Sequence, residues 1–152
     1  MINWNEIILT SVFTIMGGVI VFCISQIVLK FFIEPIQKLD MCRGEICDIL
    51  IFNRNIYLNP NTFSKEKELE VSIEIRKLAT KLLSIKNMIR GNNFFYSLNL
   101  SIKEENILKA HKQLIGLSNS IGTISPNEVQ HTIKVISNYE NEIEKALNIR
   151  IK

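Results

Sequence analysis

Residues 7–29 read IILTSVFTIMGGVIVFCISQIVL, 23 positions without one charged side chain. A helix rises about 1.5 Å per residue, so this stretch crosses roughly 30 Å of hydrocarbon with length to spare for tilt. The alternative is the core helix of a soluble protein. Such helices rarely lack charge over more than ~18 residues, which favours the membrane.

Charge around the segment predicts its orientation. All 18 Lys and Arg residues lie at or after Lys30, and Glu6 is the one charge before the run. The positive-inside rule then places the N-terminus outside and the rest of the chain in the cytoplasm. A cleaved signal peptide is disfavoured: there is no basic leader and no small-x-small site after the apolar run. Trp4 suits the outer interface, and Lys30, Phe31 and Phe32 suit the inner one, where lysine can snorkel. The expected layout is a short outside tail (1–6), a transmembrane helix (7–33) and a cytoplasmic helical region (34–152), in a bacterial cytoplasmic (inner) membrane.

Composition agrees with one apolar segment joined to a helical domain. The chain of 152 residues is 47% hydrophobic, with a mean hydropathy of +0.16. It has only 6 Gly and 3 Pro, so breakers are scarce and long helices are expected. The abundance of Ile, Lys and Asn resembles AT-rich bacterial coding. Three cysteines, Cys23, Cys42 and Cys47, make neither a disulfide framework nor a zinc spacing, and fit a reducing compartment.

Within the span, Ser11, Gly18 and Ser25 recur every seven residues, and Thr14 falls on the same face. Small and hydroxyl residues on one face let two helix backbones approach and hydrogen-bond across the contact. Two readings are open: self-association in the membrane, or a chance pattern of residues common in spans.

Beyond the span, Glu34-Pro35 is expected to interrupt the helix, because proline disfavours helical backbone in the residue before it. A second helix is predicted from about Ile36 to Leu58, with Ile36, Leu39, Cys42, Ile46, Ile49, Leu50 and Ile56 on its apolar face. Asn59-Pro60-Asn61-Thr62 should stop it. Ser64 can cap a third helix whose inward face reads Ile75, Leu78, Ala79, Leu82, Ile85 and Ile89, ended by Gly91. Ser101-Ile102-Lys103-Glu104 has the form of a capping box for a fourth helix, carrying Ile107, Ala110, Leu114, Leu117 and Ile121 and ended by Gly122. Ser125-Pro126-Asn127-Glu128 has the same form and predicts a fifth, with Val129, Ile133, Ile136, Tyr139, Ile143 and Leu147. The fold class is therefore all-α: one N-terminal transmembrane helix followed by an antiparallel four-helix cytoplasmic bundle.

If the second helix leaves the bilayer, the third returns to it, and the loop 92–100 lies at the membrane. That loop holds Phe94, Phe95, Tyr96, Leu98 and Leu100, side chains suited to an interface, with Lys30, Lys38, Arg90 and Lys103 placed to meet anionic headgroups. The other reading is that the loop folds over the bundle end.

Residues for chemistry are sparse. His111 and His131 sit on different predicted helices without neighbouring cysteines, so no metal site is expected. Ser118, Asn119 and Ser120 form a polar cluster without a marked base, and helix-end hydrogen bonding accounts for them. No glycine-rich phosphate loop occurs, and no cofactor is expected. Glu66, Glu68, Glu70 and Glu74, and Glu140, Glu142 and Glu144, read as solvated faces paired with lysines. Basic residues are interspersed with acidic ones, so nucleic acid is not an expected partner.

Phe31-Phe32-Ile33-Glu34-Pro35-Ile36 and Leu114-Ile115-Gly116-Leu117-Ser118-Asn119-Ser120 resemble segments of a family of small uncharacterised bacterial membrane proteins. The resemblance covers about residues 7–121. It implies the same layout, one N-terminal span and a helical cytoplasmic region, and no particular activity.

The expected function is non-enzymatic: a membrane-perturbing effector of a bacterial antiviral defence or toxin system, or else a tethered scaffold docking a cytoplasmic partner. The expected partners are the lipid bilayer and either a protein or a second copy of the chain.

Overall fold

The N-terminal helix does not stop where the proline was expected to stop it. In the computed structural model, which describes residues 4–59, 62–121 and 129–151, one continuous helix of 55 residues runs from Trp4 to Leu58. Its first part, α1 (Trp4–Val28), buries no residue. A π-helical turn, Leu29–Ile33, follows, and then α2 (Glu34–Leu58).

The expected break at Glu34-Pro35 is therefore a re-registration of the helix. Pro35 has no N–H to close an α-helical turn, and its ring crowds the carbonyl four residues back. Here the Glu34 N–H reaches five residues back, to the Leu29 carbonyl, and Glu34 itself has helical φ −56° and ψ −43°. A wider turn makes room for the ring and lets the helix continue.

The other elements are α3 (Lys65–Met88), a short α4 (Asn92–Ser97), α5 (Glu104–Ser120) and α6 (Val129–Leu147). One apolar core joins α2, α3, α5 and α6, with Leu39, Ile46, Leu50, Ile75, Leu82, Ile107, Leu114, Ile136 and Ile143 essentially inaccessible. α2 packs on α3, α3 on α5 and α5 on α6, while α2 also touches α6. Every regular element among the described residues is helical.

Caps show where local sequence rules held. The Ser64 side chain accepts the Lys67 N–H at 3.4 Å, as expected of a cap. The capping box at Ser101 does not form: α5 begins at Glu104 with Lys103 as N-cap and no side-chain bond. The Ser101 hydroxyl instead lies 2.7 Å from Asn92 Oδ1, tying the linker to α4. α3 ends at Met88, before Gly91, whose left-handed φ of 71° turns the chain into α4. The segment 92–100, expected as a loop, thus contains a helical turn and a half. The box at Ser125, like Gly122, Pro60 and Asn61, lies outside the described residues.

Gly116 marks a close approach of α5 to α6. A Cβ added there would stand 2.8 Å from two ring carbons of Tyr139 on α6. The next residues fasten α3 to α5: the Ser72 hydroxyl donates to the Ser118 carbonyl at 2.7 Å, and Arg76 donates to Asn119. The polar cluster around Ser118 is a packing node at the end of α5.

Candidate functional site

Two phenylalanines in the π-turn organise the neighbourhood of the apolar helix. The Phe95 ring lies tilted against Phe32, centroids 6.1 Å apart, and Phe94 meets Phe95 edge-on at 5.5 Å. Arg90, just after α3, sits over the Phe31 ring at 5.5 Å, and Lys103 over Tyr96 at 5.2 Å. Cation–ring contacts of this kind hold a basic side chain beside an apolar surface without neutralising it. The segment between α3 and α5 is therefore packed beside the end of α1.

Most of this collar is open. Phe95 is buried at 8% exposure, but Phe94 is 63% exposed, Leu98 51% and Leu100 55%. Four apolar residues expected at an interface, Phe31, Phe32, Phe94 and Phe95, are thus brought together, with Lys30 on the same turn and Tyr96 and Lys103 alongside. Trp4 stands at the opposite end of α1, also exposed.

The small-residue face of α1 is open as well. The Ser11, Thr14 and Ser25 hydroxyls donate to the carbonyls of Ile7, Thr10 and Val21, each four residues back. Gly18 has nothing within 4 Å of its Cβ position. The hydroxyls are satisfied within the helix, so this face needs no partner to complete its hydrogen bonds.

A second cluster lies where the sequence predicted solvated charge. Glu140 on α6 is fully buried. Its Oε1 lies 2.7 Å from the Tyr57 hydroxyl and 3.1 Å from Arg54 Nε, both on α2. Its Oε2 is buried without a hydrogen-bond partner. Burial, and then the neighbouring carboxylate, push the Tyr57 phenol far above its ordinary range. The Glu140 hydrogen bond likewise raises the Arg54 pKa. Glu68 on α3 is also buried, again against the expectation of a solvated face. Glu142 does pair as expected, with Lys109 and Lys145, and Lys109 holds its carboxyl below the usual range.

The periodicity held the signal for both corrections. Glu140 is four residues after Ile136 and three before Ile143, and Glu68 is three before Val71. Each belongs by phase to an inward face. The Glu140–Tyr57–Arg54 group links α6 to α2 as an internal anchor. A nearby tie does the same for the end of α6: Arg43 on α2 donates from Nε to the Leu147 carbonyl at 2.8 Å and from Nη2 to the Asn148 carbonyl at 3.2 Å. A guanidinium there satisfies carbonyls that a helix C-terminus leaves open.

Among the described residues, no three His, Cys, Asp or Glu side chains converge as a metal site would require. Comparisons with protein-family models, with curated proteins and with solved structures return no match.

Proposed function

We propose that this chain is a non-enzymatic single-pass protein of a bacterial inner membrane, with its N-terminus outside and α2, α3, α5 and α6 forming an antiparallel four-helix bundle in the cytoplasm. One observation carries the reading. α1 exposes its entire apolar surface, yet continues without a break into the bundle helix α2. An exposed helix of that composition needs an apolar surrounding, and lipid supplies it. The absence of Lys and Arg before Lys30 supports the orientation. The collar of Phe31, Phe32, Phe94 and Phe95 then lies at the inner interface, with Phe94, Leu98 and Leu100 entering the headgroup region.

The role we favour is a membrane-perturbing effector of a defence or toxin system, acting through self-association along Ser11, Thr14, Gly18 and Ser25. The small side chains on this face, with nothing within 4 Å of the Gly18 Cβ position, support close packing of two spans. The unbroken helix supports transmission of a change in the span to the bundle. Induced expression followed by a membrane-potential dye tests this role: depolarisation is expected, and its abolition when residues 7–29 are replaced by a Leu/Ala span.

A tethered scaffold is the second reading, favoured by Phe52, 82% exposed, and by Leu69 and Ile73, also exposed on the bundle. A scaffold retains its function after the span replacement, so one experiment separates the two roles.

A further inference from the structure

A cavity of about 440 Å³ opens between α2, the α4–α5 linker and the end of α6. Its rim includes Tyr96 and Leu100, which flank the collar, and its far wall holds Asp40, Arg43 and Asn148. Asn99 and Asn148, both lining it, are the only non-glycine residues with positive φ among the described residues, at 57° and 52°. Both stand just past a helix end, where the Leu100 N–H closes on the Phe95 carbonyl and the Ile149 N–H on the Glu144 carbonyl, so two helix caps shape two sides of one cavity.

The charges lining it are of both signs. Arg43 is already committed to Asp40 Oδ1 at 2.6 Å and to two main-chain carbonyls. Lys103, an exposed ammonium over the Tyr96 ring, is the cation free to meet a ligand. Asp40, whose side chain is 55% exposed, keeps its second oxygen for a donor. A purely anionic group would face the Asp40 carboxylate, and a purely cationic one would face Arg43 and Lys103. A quaternary ammonium needs open aromatic faces, and Lys103 already occupies the Tyr96 ring.

We infer that this cavity binds a phosphoethanolamine headgroup, its phosphodiester on Lys103 and its primary ammonium on Asp40. The assignment rests on the membrane reading above, which puts the Tyr96–Leu100 rim at headgroup depth. The same chemistry occurs in soluble glycerophosphoethanolamine, so the test includes both sources.

The full-length chain in maltoside micelles is titrated with dihexanoyl phosphatidylethanolamine, phosphatidylglycerol and phosphatidylcholine, and with glycerophosphoethanolamine, and adducts are counted by native mass spectrometry. The ethanolamine lipid is expected to bind a factor of ~5 or more above the other two lipids. Lys103→Met and Asp40→Asn should each remove a similar factor while helix content by circular dichroism stays unchanged. Glycerophosphoethanolamine binding weaker than the lipid supports a membrane source, and equal binding supports the same site filled from solution. Equal binding of the three lipids, or wild-type binding by both variants, overturns the assignment. The micelle assay does not require a membrane span, so alkaline carbonate extraction of cell membranes separates failure of this site from failure of the membrane reading.

Discussion

Glu140 shows how much depends on one side chain. Its Oε1 accepts hydrogen bonds from the Tyr57 hydroxyl and from Arg54 Nε, and Oε2 has no donor. Removing the hydroxyl leaves a buried carboxylate short of a hydrogen bond, a loss of about 1–3 kcal/mol. Tyr57→Phe should therefore lower stability by that amount in denaturant titrations, and a variant as stable as the wild type would contradict the anchor. Cys42 supplies a pH dependence. It is fully buried, and burial pushes its thiol from 9.0 to about 11, partly opposed by Lys81. The folded state then holds the proton more tightly than the unfolded one, so this contribution is complete below pH 9 and disappears as pH rises toward 11. Stability should fall across that window by about 1–3 kcal/mol, and Cys42→Ala should flatten its first part, before Tyr57 adds its own slope. In the sequence, Cys42 was legible as a core residue by its spacing from Leu39 and Ile46. Glu140 was misread because it was grouped with Glu142 and Glu144 by charge, when its phase with Ile136 and Ile143 decides its direction.

Among the elements, α5 and α6 approach closely at Gly116. An alanine Cβ must displace the Tyr139 ring, but alanine also gains about 1 kcal/mol over glycine inside a helix. Gly116→Ala should come out near neutral in thermal unfolding. Gly116→Leu, with nowhere to place its branch, should lose about 1–3 kcal/mol. Equal tolerance of both would mean the helices separate easily. The exposed Phe94 belongs to a different balance. Phe94→Ser should change stability by less than about 0.5 kcal/mol, since it removes little buried surface. It should weaken membrane retention of a chain truncated to residues 34–152, as measured by co-flotation with vesicles. Unchanged flotation would leave the collar without an interfacial role. The apolar faces of the long helices were readable because each repeats its period several times. Their ends were not. Ser101 had the right spacing for a cap, but Asn92 competed for its hydroxyl, a contact no local rule contains. The proline at position 35 had the right chemistry for a break, but a single π-turn absorbed it.

For the whole molecule, the decisive feature is a single helix with two environments: packed against α3 and α6 beyond Glu34, and bare before Lys30. The sequence announces that contrast through 23 uncharged residues followed by every basic residue of the chain. It holds no comparable signal for the cavity beside Tyr96, whose walls come from residues more than a hundred positions apart, Asp40 and Asn148. Trp4, the chain's one tryptophan, reports directly on the surroundings of α1. The full-length chain in vesicles containing brominated lipids should show tryptophan emission quenched more by bromines near the headgroup than by bromines near the bilayer centre. Emission indifferent to bromine at every depth would contradict a helix held in lipid.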